Sequence, residues 1–279
     1  MSETTPIAPY LTTLPPTQEE LPYDDGEPME SQRHQFQMEI LINSLQPWIS
    51  QRSDGFVGGN MFVYYSLEQV RNKDFRGPDF FAVLGVPKKE RRSWVVWEEG
   101  KAPDVVIELL SDSTAEFDKT EKKYIYQDRL RVSEYFWFDP FNPDDLAGFS
   151  LQQGVFQSLS FNEQNQLISQ ALGLSLVRWF GEYKGIEATW LRWGNLDGEL
   201  FPLPQEIAEQ EYQRAEQEYQ RAEQEYQRAE QERQRAELVE SQLNQVARNL
   251  LQQGMSPEQV MQITGLSSEQ IQELINNDN

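Results

Sequence analysis

Between residues 31 and 194 the apolar positions come in short runs; after residue 204 they follow a strict period of seven. The stretch "MESQRHQFQMEILINSLQPW" places Met38, Leu41, Ile42 and Leu45 on one stripe, which predicts a helix ended by Pro47. "GFVGGNMFVYYS" (55–66) reads as a strand, and "DFFAVLGV" as the next one, opened by Asp79. "SWVVWEEG" gives a further short strand. "DVVIELL" (104–110) is almost continuously apolar, the pattern of a central strand covered on both faces. A helix follows to Arg129, capped by Ser113 or Thr114, with Glu116 at capping-box distance from Ser113. "EYFWFDP" is a buried strand stopped by Pro140, "LAGFSLQQGVFQSLSF" a hairpin about Gly154, and "TWLRWG" closes the domain. The alternation of strands with helical segments makes this an α/β chain.

In the tail, "AEQEYQR" occurs at 208–214, 215–221 and 222–228, then as "AEQERQR" at 229–235. With Tyr212, Tyr219 and Tyr226 at heptad position a, Ala215, Ala222 and Ala229 fall at d, continued by Leu243 and Leu250. This predicts a coiled-coil helix that pairs with itself or with another protein; the simpler alternative is a lone surface helix. The end, "GMSPEQVMQITGLSSEQIQELI", reads as two short helices capped by Ser256 and Ser267 and turned at Gly265. Helix-turn-helix units share this rhythm. A recognition helix needs basic residues and none follows Arg248, so a protein-contact or capping role is expected. The expected organisation is a disordered acidic, Pro-rich tail (1–20), one domain (21–200), the coiled-coil helix (204–253) and a helical hairpin (254–279).

Charge changes the picture only in part. The net charge of −22 argues against unassisted binding to nucleic acid. Yet residues 1–30 hold 7 acids and no Lys or Arg, and residues 201–279 hold 15 acids against 6 bases, so the middle is left at only −6. With no cysteine, disulfides and thiolate metal sites are impossible. The N-terminus resembles neither a signal nor a transit peptide, and no stretch approaches a membrane span, so a cytoplasmic location is expected.

The candidate chemistry lies in the strands. Alternation places Asp104 and Glu108 on one face of "DVVIELL", and Asp79 opens a preceding strand. If those strands pair, Asp79 and Glu108 converge at one edge, where a cation, Mg²⁺ or Mn²⁺, would relieve their repulsion. Salt bridges to Arg or Lys are the bland alternative. On the following helix Asp118, Lys122 and Tyr126 fall at i, i+4 and i+8 on one face, and Lys122 can point back over the strand ends. An ammonium beside such a pair suits phosphodiester hydrolysis.

The blocks "RGPDFFAVLGVP", "PDVVIELLSDST", "DKTEKKYIYQ" and "VSEYFWFDP", in that order, resemble the Uma-two family within the PD-(D/E)xK nuclease superfamily. The resemblance covers roughly residues 21–200. It implies a restriction-endonuclease-like mixed β-sheet flanked by helices, Mg²⁺-dependent cleavage, and DNA as substrate. By that resemblance Asp79 and Glu108 are the metal ligands. The Lys of the superfamily pattern, two residues after the Glu, is Leu110 here; a Lys on the next helix substitutes, with Lys122 at the matching place and Lys119 and Lys123 as competitors. Asp104 either supports the site or caps the strand entry, and Asp118 is a supporting candidate. His34 reads as a partly buried, hydrogen-bonded histidine; His34 or Glu39 lining the metal is the alternative. The Trp and Tyr content reads as core. Two functions follow: a metal-dependent DNA endonuclease with a helical oligomerisation tail, binding DNA only weakly without a partner, or an inactive nuclease fold serving as a coiled-coil scaffold. The retained acids and Lys122 favour the first.

Overall fold

Among the described residues the short apolar runs assemble into twelve strands. They are β1 (Phe56–Gly58), β2 (Val63–Tyr64), β3 (Phe75–Arg76), β4 (Phe80–Val83), β5 (Trp94–Val95), β6 (Val105–Leu109), β7 (Glu134–Phe138), β8 (Leu146–Gln152), β9 (Val155–Ser158), β10 (Leu167–Ser169), β11 (Leu174–Tyr183) and β12 (Ile186–Gly194). The structure, a computed structural model, describes residues 15–23, 31–66 and 75–277. It divides into two compact units, Met1–Ile207 and Ala208–Asn279.

In the first unit the main sheet runs β1-β4-β6-β7-β8-β9. Only β6 and β7 in it are parallel, joined by a helical stretch over 115–130; the other pairs are antiparallel. Period-2 alternation divides its side chains between two cores. Phe80, Ala82, Val105, Ile107, Leu109, Phe136 and Phe138 face helix α1 (Gln32–Ser50) and the separate sheet β10-β11-β12. Phe81, Val83, Val106, Tyr135 and Phe149 face Tyr126 and Leu130 of the 115–130 stretch, and Trp94. All five residues of β6 are buried. This mixed α/β architecture is the one read from the sequence.

Several local expectations change. Helix α1 continues through Pro47, because Leu45 and Ile49 on either side of it are both buried and tertiary packing outweighs the missing N–H. The run 55–66 is two strands in different sheets, β1 and β2. Strand β5 passes into a short helix, α2 (Val96–Glu99), closed by Gly100 at φ 71°. No capping box forms at Ser113 and Glu116: Thr114 is the N-cap and makes no side-chain cap bond, its hydroxyl being hydrogen-bonded to Ser111 Oγ at 3.0 Å. Strands β10 and β11 precede the one run that was read at this end. The expected disordered tail falls on undescribed residues as far as 14. Beyond that, Gln18 bonds Glu98 through its amide N–H (2.9 Å), and Trp97 donates to the Pro16 carbonyl (2.8 Å), so residues 15–20 are docked. The hairpin turn carries two successive positive φ values, Gln153 (51°) and Gly154 (88°), as a two-residue turn between right-twisted strands requires.

Helix α4 (Pro204–Gln252), most of which belongs to the second unit, buries Ala247 alone among its residues. Ala247 joins Val260 of α5 (Pro257–Thr264), Leu266, and Ile271 and Leu274 of α6 (Ser268–Asn277) in a small core. Ser256 and Gln259 form a capping box, Ser267 and Gln270 exchange the same two bonds, and Gly265 turns at φ 72°. Tyr212, Tyr219 and Tyr226 are each 68% exposed. No helix among the described residues is long and apolar enough to cross a membrane.

Candidate active site

Strands β4 and β6 pair antiparallel with Phe80 opposite Ile107. One step further along the ladder sets Asp79 opposite Glu108. Asp79 shares parity with Phe81 and Glu108 with Val106, so both belong to the face covered by the 115–130 stretch. Asp79 Oδ2 accepts the Leu109 amide N–H at 2.7 Å, which fixes its carboxylate beside the end of β6.

Glu108 is fully buried. Its Oε2 accepts from Lys122 Nζ at 2.9 Å and its Oε1 from the Tyr126 hydroxyl at 2.6 Å. Lys122 Nζ also lies 2.9 Å from Asp118 Oδ1. The helical stretch that carries these groups begins with one α-turn, Ala115–Phe117, and widens into π-turns at Asp118–Lys122 and Ile125–Leu130. Such bulged turns are uncommon and concentrate at functional sites. Tyr135 of β7 ties the stretch down by donating to the Asp118 carbonyl at 2.9 Å.

Glu108, Asp118 and Asp79 all act on the Lys122 ammonium, and Arg76 is a further basic group near enough to act on Tyr126. Burial raises the Glu108 carboxyl above its ordinary range, Lys122 opposes that shift, and Asp118 adds to it. Burial alone would depress Lys122, but Glu108, Asp118 and Asp79 together hold it above the ordinary lysine value. The Tyr126 hydroxyl is pushed well up by burial and by Glu108. Burial leads the shifts of Glu108 and Tyr126, while the neighbouring carboxylates outweigh burial at Lys122. Asp79 and Glu108 form an oxygen-only donor pair, and Mg²⁺ is commonly held by one or two carboxylates with water and substrate oxygens. No three His, Asp or Glu side chains converge as a metal cage among the described residues. A carboxylate has about four acceptor sites, and Glu108 uses two of them on Tyr126 and Lys122.

The other sequence candidates lie elsewhere. Asp104 is at the opposite end of β6, where its Oδ2 accepts from the Leu84 N–H at 2.7 Å and pairs with Lys101 at 2.8 Å, a strand-entry cap. Lys119 pairs with Asp145, and Lys123 stands over the Phe149 ring at 3.4 Å, so neither reaches Glu108. His34 is buried, and its Nε2 donates to the Leu110 carbonyl at 2.9 Å. Its Nδ1 lies 2.7 Å from Ser31 Oγ, so both ring nitrogens are bonded and the ring braces the Leu110 carbonyl, two residues beyond Glu108. Glu39 bonds Lys184 and Tyr183 and takes no part in the cluster. The Tyr126 bond to Glu108 was not foreseen, although its i+8 spacing from Asp118 and i+4 spacing from Lys122 was the available signal.

Residues 8–179 match the Uma2 family, described as "Putative restriction endonuclease". Residues 240–275 match the C-terminal HTH domain of the Rpn/YhgA-like nuclease family, a likeness consistent with the helical rhythm of α5 and α6. Curated proteins give no match. Among solved structures, the chain is similar to the crystal structure of a putative nuclease belonging to DUF820 from Anabaena variabilis ATCC 29413. That similarity has 15% identity, covers 57% of this chain and 91% of that one, and has a TM-score of 0.39. With well over half of its length matched, the chain belongs to the Uma2 family of restriction-endonuclease-like proteins.

Proposed function

We propose that the protein is a metal-dependent endonuclease that hydrolyses phosphodiester bonds in DNA, with Asp79 and Glu108 as ligands for Mg²⁺ or Mn²⁺ and Lys122 as the catalytic cation. The observation that carries this reading is the placement of the buried Glu108 and Asp118 and the half-buried Asp79 around Lys122 at the end of β6. Lys122 answers to more than one of these carboxylates, and oxygen donors of this kind suit a divalent cation. When bound, the divalent ion would supply a water of lowered pKa and neutralise charge on the phosphate.

The chain's own groups divide the remaining work. Lys122, held above the ordinary lysine range, stays protonated at neutral pH and is no general base. It can donate to a non-bridging phosphate oxygen, or orient the attacking water, and stabilise the charge that develops as the bond breaks. Asp118 aims Lys122, and Tyr126 fixes the Glu108 carboxylate. The Leu109 amide holds Asp79.

The test is Mn²⁺ binding by calorimetry, followed by nicking of supercoiled plasmid by the parent, Asp79→Asn and Glu108→Gln. Binding and nicking by the parent that both variants lose is the expected result. A parent that neither binds Mn²⁺ nor nicks DNA would make the cluster structural and the protein a nuclease-fold scaffold.

A further inference from the structure

The heptad helix carries information that the nuclease reading does not use. With Tyr212 at a, every e position from Glu209 to Glu237 is Glu, and every g position from Glu211 to Glu232 is Glu. In a two-stranded coiled coil the e and g rows flank the apolar seam and meet the partner's e and g rows. A parallel pair of identical chains sets g against e′; an antiparallel pair sets e against e′ and g against g′. Either way Glu meets Glu along four heptads. The arginines do not cancel this. Arg214, Arg221, Arg228 and Arg235 all fall at c, outside the flanking rows. The e row is bonded instead by neutral side chains: Gln213 to Glu209 (2.7 Å), Gln220 to Glu216 (3.0 Å) and Gln227 to Glu223 (2.9 Å). Along residues 208–237 the ion pairs are those of Arg233 with Glu230 and Glu237. Arg233 itself stands at an a position, where a parallel second copy would meet it with its own Arg.

The seam between those rows is nonetheless apolar and open, with Tyr212, Tyr219 and Tyr226 each 68% exposed. We propose that residues 208–237 of α4 are the docking surface for a different protein: an amphipathic helix with an apolar seam flanked on both sides by Lys or Arg. The charge rows select against a second copy of this chain and in favour of a basic partner, since like-charge juxtaposition rejects one class of helix and opposite charge accepts the other. This makes the tail an adaptor and not a homodimerisation device, whether or not the first unit cleaves DNA.

The test uses the full chain and three synthetic helical peptides. One has four heptads with a Leu/Ala seam and Lys at e and g; one has the same seam with Glu at e and g; one is a scramble of the Lys peptide. Calorimetry should show binding of the Lys heptad peptide, no binding of the Glu peptide, and binding of the scramble at least roughly tenfold weaker. Affinity for the Lys peptide should fall about tenfold or more as salt rises, as screening of exposed charge requires. The triple variant Glu216→Lys/Glu223→Lys/Glu230→Lys should lose the Lys peptide and begin to self-associate, because its g-row Glu now faces e′ Lys. Equal binding of the heptad and scrambled Lys peptides, or none of either, would overturn the proposal. So would a parent chain that sediments as an oligomer at neutral pH and becomes monomeric on Tyr219→Lys/Tyr226→Lys, because a second copy would then occupy the seam.

Discussion

Glu, Tyr and a basic residue recur in two parts of this molecule and do opposite things. At the end of β6, Glu108, Tyr126 and Lys122 are drawn inside, bonded to one another at 2.6–2.9 Å. Along α4 the same kinds of side chain repeat every seven residues and stand in water, with Tyr 68% exposed and Glu bonded at most to a neighbour on the same helix. Burial makes the difference. Charges near one another interact several times more strongly in a protein's low effective dielectric than across water. One irregular cluster can therefore hold a reactive state, whereas the regular helix gains only small increments for each pair and works by pattern. The first region recognises by position, the second by repetition.

The largest contrast should appear in turnover. Asp79→Asn and Glu108→Gln should lower plasmid nicking on the order of 10²-fold or more, the scale for groups that meet developing charge, while tail substitutions leave the rate on a short duplex unchanged. Neither acid variant should be less stable than the parent without metal. The sign follows from Glu108, whose folded pKa is raised. The native state then binds the proton more tightly than the unfolded chain, so this group's contribution falls as pH rises through the window above about 4.5, the ordinary Glu value. Gln removes that slope. A urea series across pH that finds Glu108→Gln much less stable at neutral pH would show that the carboxylate is a net structural asset and would break the contrast.

Lys122→Ala should be the most destabilising change in the cluster, by about 3–5 kcal/mol, because it strands two buried carboxylates. In the parent the folded pKa of Lys122 is raised, so its stabilisation is fully present below the ordinary lysine value and is lost only as alkaline pH passes the raised one. The variant should instead gain stability toward acid pH, as the stranded acids protonate. Mn²⁺ should raise the melting temperature of Lys122→Ala more than that of the parent, since an ion bound only by the folded state stabilises it by mass action. A variant as stable as the parent at every pH would mean that solvent screens the pair.

How much of this could be read from the residues depended on locality. The fully apolar frame of "DVVIELL" with Glu108 inside it, the i, i+4 relation of Asp118 and Lys122, the Gln153–Gly154 turn and the long helix under the heptads are local patterns, and all appear in the fold. What escaped was non-local. Strand β2 finds β5 some thirty residues on, which no window of sequence contains. The run holding β10 and β11 alternates poorly because much of β11 is half exposed. Glu134 reads as an ordinary strand start, yet it is buried, accepting from the Ser169 hydroxyl and from the Gln170 and Ala171 amides to hold a turn of another sheet. Glu39 sits on the right helix but meets Lys184, a partner 145 residues away. The Asp79–Glu108 pairing was legible because both acids lie in strands whose register the apolar residues dictate; the Tyr126 bond needed the tertiary fold.

Tyr126→Phe sharpens the comparison at a smaller scale. It keeps the ring packed against Tyr135 and removes only the hydroxyl on Glu108 Oε1. A hydrogen bond to a charged group contributes about 1.5–3 kcal/mol, and the loss should lie in that range. Glu108 should become still harder to ionise, so the pH below which nicking fails should move upward. A variant with lower stability and an unchanged pH profile would assign Tyr126 to packing alone.

The smallest effect belongs to the tail. Tyr212→Ala/Tyr219→Ala/Tyr226→Ala removes three rings that touch little of their own chain, so stability should change by no more than about 0.5 kcal/mol, the usual range for exposed positions. Helix content by circular dichroism should hold or rise, since Ala is the better helix former. Binding of the Lys heptad peptide should nevertheless disappear, because the apolar seam has gone while both Glu rows remain. Stability and recognition would then separate in α4, where in the β6 cluster they are tied to the same atoms. If the triple variant instead unfolds the chain, the tyrosines are already packed against something in the free protein, and the distinction between a buried working cluster and an open helical surface does not hold.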